Sequence, residues 1–247
     1  MPKGIRLSSS VPITKDPKDN LAFKAAELLL NYKKIRGGLH IKITKNVPIA
    51  AGLGGGSSDA ATVLLGINNL LRLKLDKKTL IRLGSRLGSD VPFFLLDEPF
   101  ALGKGRGDRL KPIKSKKRFW HLLIYPGVRL PTKVVYEAFD VSKCLTTKKA
   151  NAKIQLPLKL SMDFRATEEM LYNDLEAAAV AQKSVIGTIL KRLATLLGKK
   201  AVVSGSGPSV FCLYRTRKEA ERAKRAVLQR VPGRERRTWQ IFTMRTC

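Results

Sequence analysis

The 247-residue chain is poor in acid: 19 Asp and Glu stand against 48 Lys and Arg, a formal net charge of +29. Solubility does not require so unequal a balance, and it keeps an anionic partner, nucleic acid included, in play. Aromatic residues make up only 6% of the chain and do not interleave with the densest basic runs, 104–118 and 215–237. The base-stacking surface of a single-strand binder is therefore missing, and solvated helix faces account for most of the excess. Cysteine is scarce. Cys144, Cys212 and Cys247 are scattered and lack metal-ligand spacing, so they read as free thiols of a reducing cytoplasm. No run of about 18 apolar residues occurs, which argues against a membrane-spanning helix. The start, where Lys3 and Arg6 precede Ser- and Pro-containing sequence, does not have the apolar pattern of a secretory leader.

Glycine, by contrast, is concentrated where it matters. Pro48-Ile49-Ala50-Ala51-Gly52-Leu53-Gly54-Gly55-Gly56-Ser57-Ser58-Asp59-Ala60-Ala61 places four glycines and two serines between two patterned segments. Before it, Leu39, Ile41 and Ile43 alternate with His40, Lys42 and Thr44, the period of a half-buried strand. After it, Ala60, Ala61, Val63, Leu64, Ile67, Leu70 and Leu71 form a broad helical apolar face, with Ser57 or Ser58 as the expected N-cap. A flexible linker rarely sits between two such elements. Glycine lets several N–H groups converge, and a helix start adds partial positive charge, so the run predicts an anion site, most often one for phosphate. No Lys follows the glycines, which excludes a Walker loop, and no Gly-x-Gly-x-x-Gly with a partner acid suggests a dinucleotide.

With 44% hydrophobic residues and both periodicities present, a globular α/β or α+β protein is expected, as one large domain or two small ones. Residues 1–20 read as loop. A helix runs from Asn20 to about Tyr32, and a shorter one over roughly 77–87 ends at Gly88. The run Ser89-Asp90-Val91-Pro92-Phe93-Phe94-Leu95 leads into an apolar strand. Residues 119–125 form another strand, 142–161 suit a mobile insertion, and a long helix, interrupted or bent near Gly187, covers much of 166–197. The 216–231 segment is an amphipathic helix with Ala220, Ala223, Val227 and Val231 inward. Ala201-Val202-Val203 and Val210-Phe211-Cys212-Leu213 flank a second glycine loop, Ser204-Gly205-Ser206-Gly207-Pro208-Ser209.

The first loop, Asp90 and the second loop, in this order and separation, resemble the galactokinase–homoserine kinase–mevalonate kinase–phosphomevalonate kinase superfamily. Lys45-Asn46-Val47-Pro48 running into the triple glycine narrows the likeness to its 4-diphosphocytidyl-2-C-methyl-D-erythritol kinase family. Leu87-Gly88-Ser89-Asp90-Val91-Pro92-Phe93-Phe94, Gly103-x-Gly105-Arg106-Gly107 and Asn173-Asp174-Leu175-Glu176 point the same way. The resemblance extends from about Ile5 to the second loop. It implies an α+β, two-domain small-molecule kinase fold, with an ATP-binding domain over 1–112 and a substrate-binding domain over 113–247.

The resemblance further implies transfer of the ATP γ-phosphoryl group to the 2-hydroxyl of the cytidyl substrate, with Mg²⁺, in the non-mevalonate isoprenoid pathway of the cytoplasm. By it, Pro48, Ile49, Ala50, Ala51, Gly52, Leu53, Gly54, Gly55, Gly56, Ser57 and Ser58 wrap the phosphates, and Asn20 and Lys45 lie near the adenine. Asp90 accepts the substrate proton. Without that likeness, an N-cap or turn role would be its default reading. Thr132 and Tyr136 match a hydroxyl near the diphosphate and an aromatic on the cytosine. Gly205, Ser206 and Gly207 come beside the substrate phosphates, although a tight strand–strand turn would explain them too. The family carries a further Lys, paired with the catalytic Asp, and a Tyr-His pair, both ahead of the part matched by Ile5-Arg6-Leu7. No residue here matches them, so the first domain is expected to be truncated, with an unpaired sheet edge and weaker transition-state stabilisation. The rival readings are another small-alcohol kinase of the superfamily and a basic, catalytically weak nucleic-acid-binding relative.

Overall fold

A computed structural model describes residues 4–105, 107, 109–144 and 163–246, with backbone only at 141–144. The chain divides into two compact units. The first comprises Met1–Ile49 and Gly54–Ser115, the second Ala50–Leu53 and Lys116–Cys247. The sequence-based boundary stood at 112/113; the change of unit falls three residues later, and four residues of the first glycine loop group with the second unit. Beyond the end of a helix at Cys144, the expected insertion 142–161 lies outside the described residues, as do Arg106 and Cys247.

In the first unit, strand β1 (Gly4–Ser9) pairs in parallel with β2 (Gly38–Ile43), Ile5 opposite Leu39 and Leu7 opposite Ile41. The loop expected over residues 1–20 is thus partly strand. Six residues with only two large apolar side chains give little local signal, and the partner lies more than thirty positions away. Between the strands runs helix α1 (Leu21–Tyr32), its start capped by Asn20, whose Oδ1 accepts from Ala22 N at 2.9 Å. Helices α2 (Gly55–Leu70), α3 (Lys77–Gly84) and α4 (Val91–Leu95) complete the layer. The shared core is Ala25, Ala26 and Leu29 of α1, Ala60, Ala61, Leu64 and Ile67 of α2, Leu80 and Leu83 of α3, and Val91 and Leu95 of α4.

The apolar run 91–95, expected to lead into a strand, is itself a short helix. Pro92 supplies a fixed φ suited to a first helical turn, and short apolar runs carry no decisive period. The strand follows at β3 (Phe100–Lys104), which pairs antiparallel with β4 (Arg109–Ile113). Of the Gly103-to-Gly107 motif, Gly103 lies in β3, and Gly105 and Gly107 fall between the two strands at φ +67° and +88°.

The second unit is built on an antiparallel sheet of order β6-β7-β5-β8: β5 (Trp120–Tyr125), β6 (Ala201–Val203), β7 (Val210–Tyr214) and β8 (Gln240–Arg245). Helix α5 (Thr132–Cys144) follows β5. The long helix expected over 166–197 is three: α6 (Phe164–Glu169), α7 (Glu176–Gln182) and α8 (Ser184–Leu197). Gly187 does not bend it. It lies inside α8, and a Cβ there would come within 3.0 Å of Val180 Cγ1, so it permits close packing of α7 on α8. Helix α9 (Arg217–Arg230) opens on a capping box between Thr216 and Glu219 and buries Ala220, Ala223 and Val227, the inward face read from sequence. A single turn, α10 (Gly233–Arg236), precedes β8. The core joins Leu122 and Ile124 of β5, Val210 and Cys212 of β7, Ile186, Ile189 and Leu193 of α8, and Val227 of α9.

Candidate active site

The first glycine loop leaves β2 through Lys45, Pro48 and Ile49 and turns on three left-handed residues: Ala50 at φ +54°, Gly52 at +72° and Gly54 at +64°. For Ala50 that conformation costs about 1–2 kcal/mol, strain of a kind that gathers at functional loops. Helix α2 then begins at Gly55, two residues before the expected serine cap. Its N-cap is the left-handed Gly54, and no side chain caps it. The first main-chain bond of the helix is Ser58 N to Gly54 O, at 2.9 Å. The N–H groups of Gly55, Gly56 and Ser57 therefore have no acceptor within the helix, an arrangement that suits an anion. Ser57 and Ser58, expected as caps, instead lie in the first turn.

Of the predicted residues outside the loop, Lys45 lies directly beside this helix start within the first unit. Lys45 Nζ reaches Asp59 Oδ2 at 2.5 Å, its side chain only 7% exposed, and lies 3.1 Å from the position a Gly55 Cβ would occupy. The cation is held beside the free amides, neutralised in part by Asp59. Leu21, next to the capping residue Asn20, comes within 3.6 Å of a Cβ on Gly56. Asn20 is buried, and of its side-chain atoms only Oδ1 is engaged among the described residues.

Asp90 occupies the N-cap position of α4, yet its carboxylate makes no capping bond. Asp16, Asp76 and Asp163 each do cap the element that follows them. The local role that would explain Asp90 is thus unfilled. Its side chain is exposed, with Ser89 Oγ at 3.5 Å as a weak neighbour. One turn along, Phe94 packs so closely on the glycine loop that a Cβ on Gly54 would lie 2.8 Å from its ring. Helix α4 consequently sets Asp90 roughly 6 Å, four residues of helical rise, from a residue that touches the loop.

In the second unit, Ala51 and Gly52 meet the second glycine loop. Ser204 Oγ donates to Gly52 O at 2.9 Å, and Ser209 N donates to Ala51 O at 3.4 Å. Ala51 is buried, Ala50 is exposed, and Leu53 is half-buried. The second loop is the β6–β7 turn, with Gly205 and Gly207 at φ +55° and +77°. Ser206, 6% exposed, shares a hydrogen bond with Thr132 across 3.0 Å between their hydroxyls. Tyr136 lies one turn beyond Thr132 on α5 and is 50% exposed; Val135 beside it fills the core instead. The unit thus brings Thr132 to Gly205, Ser206 and Gly207 and leaves a Tyr ring free one turn further along α5.

Sequence reasoning missed the groups that hold this loop. Asn173 Nδ2 donates to Val203 O and Gly205 O, both at 2.8 Å, and Glu176 Oε2 accepts from Val203 N at 3.0 Å. Their one signal was membership of the Asn173-Asp174-Leu175-Glu176 motif, to which no role was assigned. Among the described residues no group of three His, Cys, Asp or Glu forms a metal cage, and no helix is long and apolar enough to cross a membrane.

The description "GHMP kinases N terminal domain" matches residues 20–98, which contain the helix-start amides, Lys45 and Asp90, and "GHMP kinases C terminal" matches 156–233. The chain belongs to the GHMP kinase family. A 4-diphosphocytidyl-2-C-methyl-D-erythritol kinase of Pelobacter propionicus is 41% identical over 217 residues, covering 87% of this chain and 74% of the relative. A crystal structure of 4-(cytidine 5'-diphospho)-2C-methyl-D-erythritol kinase superposes with a TM-score of 0.73 at 30% identity, over 99% of this chain and 82% of that one. The homoserine kinase of Cytophaga hutchinsonii, at 21% identity and TM-score 0.71 over 100% and 82% of the two chains, shares the fold. The α+β kinase fold and the family expected from sequence are therefore those found. The findings give the nucleic-acid reading no support.

Proposed function

We propose that this GHMP kinase transfers the γ-phosphoryl group of ATP to the 2-hydroxyl of 4-diphosphocytidyl-2-C-methyl-D-erythritol, the substrate in its relatives' names. The observation that carries the reading is Asp90: a carboxylate at an N-cap that caps nothing, on a helix packed against the glycine loop. Phosphoryl transfer needs positioning and charge compensation more than covalent help, and a carboxylate able to accept the substrate hydroxyl proton completes the set.

The uncapped amides of Gly55, Gly56 and Ser57, with Lys45 beside them, receive the nucleotide phosphates, and Ala50, Ala51, Gly52 and Leu53 lead the chain into that start. Asn20 Nδ2 is the polar group for the adenine side. Thr132, Gly205, Ser206 and Gly207 take the substrate's phosphate end, and Tyr136 offers its exposed ring to the cytosine, a stacking contact of about 1–3 kcal/mol. The donor set suits Mg²⁺, which is usually held by one or two carboxylates plus substrate phosphates. Asp59, whose Oδ1 accepts nothing among the described residues, and the Ser57 and Ser58 hydroxyls are the protein groups for it. The ion supplies charge neutralisation on the transferring phosphate.

The test is ADP release by the purified chain with ATP and the cytidyl substrate. Asp90→Asn is expected to lower kcat by about 10²–10⁴, the usual worth of a positioned general base, and to leave the unfolding midpoint in place because no cap is lost. An Asn variant that turns over at the parent rate overturns the assignment.

A further inference from the structure

Asn173 and Glu176 hydrogen-bond to none of the four glycines of the first loop among the described residues, yet the hydrogen bonds around them end there. Val203 closes strand β6, and its two main-chain groups are both taken from outside the sheet, O by Asn173 Nδ2 and N by Glu176 Oε2. The same Asn173 Nδ2 reaches Gly205 O, so one amide group spans the strand end and the turn. Inside the turn, Ser204 N donates to Ser209 O and Gly207 N to Ser204 O, each at 2.8 Å. The turn in turn grips Ala50–Leu53 through Ser204 Oγ to Gly52 O and Ser209 N to Ala51 O. At Gly52 the fit is backbone on backbone: a Cβ would lie 2.3 Å from Ser204 O and 2.6 Å from Gly207 O. No flexible side chain separates the two loops, so a shift of one must displace the other.

We infer that Asn173 is a positioning residue of the kinase reaction: by bracing the second glycine loop it sets the backbone of Ala50–Leu53, which runs directly into the helix-start amides at Gly55. This rests on the reading of those amides as the nucleotide-phosphate site. A merely local role for Asn173 exists as well, since its Oδ1 accepts from Leu175 N at 3.0 Å ahead of α7. The two roles use different atoms of one side chain, and that separates them experimentally.

Asn173→Asp keeps the acceptor for Leu175 N and deletes both donations to the second loop. Amide hydrogen exchange is expected to accelerate about ten- to hundredfold at Ser204, Gly207 and Ser209, the span two lost hydrogen bonds allow, while Ala179 of α7 and Lys183 at its C-cap exchange as in the parent. In the kinase assay the same variant raises KM for ATP and lowers kcat/KM by a similar factor. Asn173→Gln, which restores an amide donor on a longer arm, recovers part of the loss. Ser204→Ala, which removes only the grip on Gly52 O, serves if the Asp variant does not fold, and speeds exchange at Ser209 by a smaller factor. Parent-like exchange in the turn, or acceleration confined to α7, overturns the inference. Exchange is read without turnover, so a parent chain that releases no ADP refutes the proposed function and leaves this result standing on its own.

Discussion

Replacing Gly52 by Ala is the most demanding perturbation of the first glycine loop. The new methyl would lie 2.3 Å from Ser204 O, 2.6 Å from Gly207 O and 2.9 Å from Gly207 N. Even a favourable carbon–oxygen contact needs about 3.3 Å, so the overlap approaches about 1 Å. All three neighbours are backbone and cannot swing aside. Retaining φ +72° costs an Ala about 1–2 kcal/mol, and forcing the overlap adds about 1–3 kcal/mol. The chain's alternative is to peel Ala50–Leu53 away, losing the bonds from Ser204 Oγ and Ser209 N at about 0.5–1.5 kcal/mol each and exposing Ala51. The first route totals about 2–5 kcal/mol and the second about 1–3 kcal/mol before the exposure of Ala51 is added, so a loss of about 2–3 kcal/mol is expected. Gly56→Ala is the matched control: its nearest neighbour, Leu21 Cδ1, would stand at an ordinary 3.6 Å. Inside a helix Ala outperforms Gly by up to about 1 kcal/mol, so this variant should be neutral or slightly stabilised. Urea unfolding followed by tryptophan fluorescence is well placed to read the difference, because Trp120 and Trp239 both lie in the unit that contains Gly52. A Gly52→Ala protein within 1 kcal/mol of the parent (roughly the spread of ordinary surface changes), or a Gly56→Ala protein equally damaged, refutes the steric argument.

Three further outcomes follow from the second unit and from the charge. Tyr214 is buried with a hydroxyl that has no hydrogen-bond partner among the described residues, so Tyr214→Phe should leave stability unchanged or raise it by up to about 2 kcal/mol; a clear loss in thermal unfolding would contradict this. Burial pushes the Cys212 thiol up to about 12 from 9.0, and burial raises Tyr214 as well. Above pH 9.0 the unfolded thiol ionises while the folded one keeps its proton, so the folded state binds more protons and stability falls as pH rises towards 12. One such group contributes about 1.4 kcal/mol per pH unit, and Cys212→Ala should flatten the decline; an unchanged slope in pH-dependent denaturation rejects the account. With 48 basic and 19 acidic residues, self-repulsion opposes the compact state, so about 0.5 M sodium chloride should raise the melting midpoint, and an unmoved or lowered midpoint would count against it.

Much of this organisation is legible in residue order. The alternation of Leu39, Ile41 and Ile43 became β2, and the inward set Ala220, Ala223 and Val227 became the buried face of α9. The glycine runs marked both loops, and Asn20 was found as the residue at which α1 begins. These are features a short window contains, because strand and helix periods and capping residues act over one or two turns. Strand β1 escaped because its apolar residues make sense only against Leu39 and Ile41, and α4 because Pro92 opens a helix in a run that period alone leaves undecided. Gly187 suggested a bend until the side chain packed on it, Val180, was known.

What the residue order decided, then, was the kinase fold, the place of the first glycine loop and the candidacy of Asp90. Tertiary structure decided the rest. It left the Asp90 carboxylate without its local capping role, moved the start of α2 to Gly55, and seated Gly52 against a turn about 150 residues further on. Asn173, the brace of that turn, was named in a motif and given a role only by its partners. Such pairings depend on which backbone groups meet once distant segments are packed, and contacts across that separation leave no period for a local pattern to record.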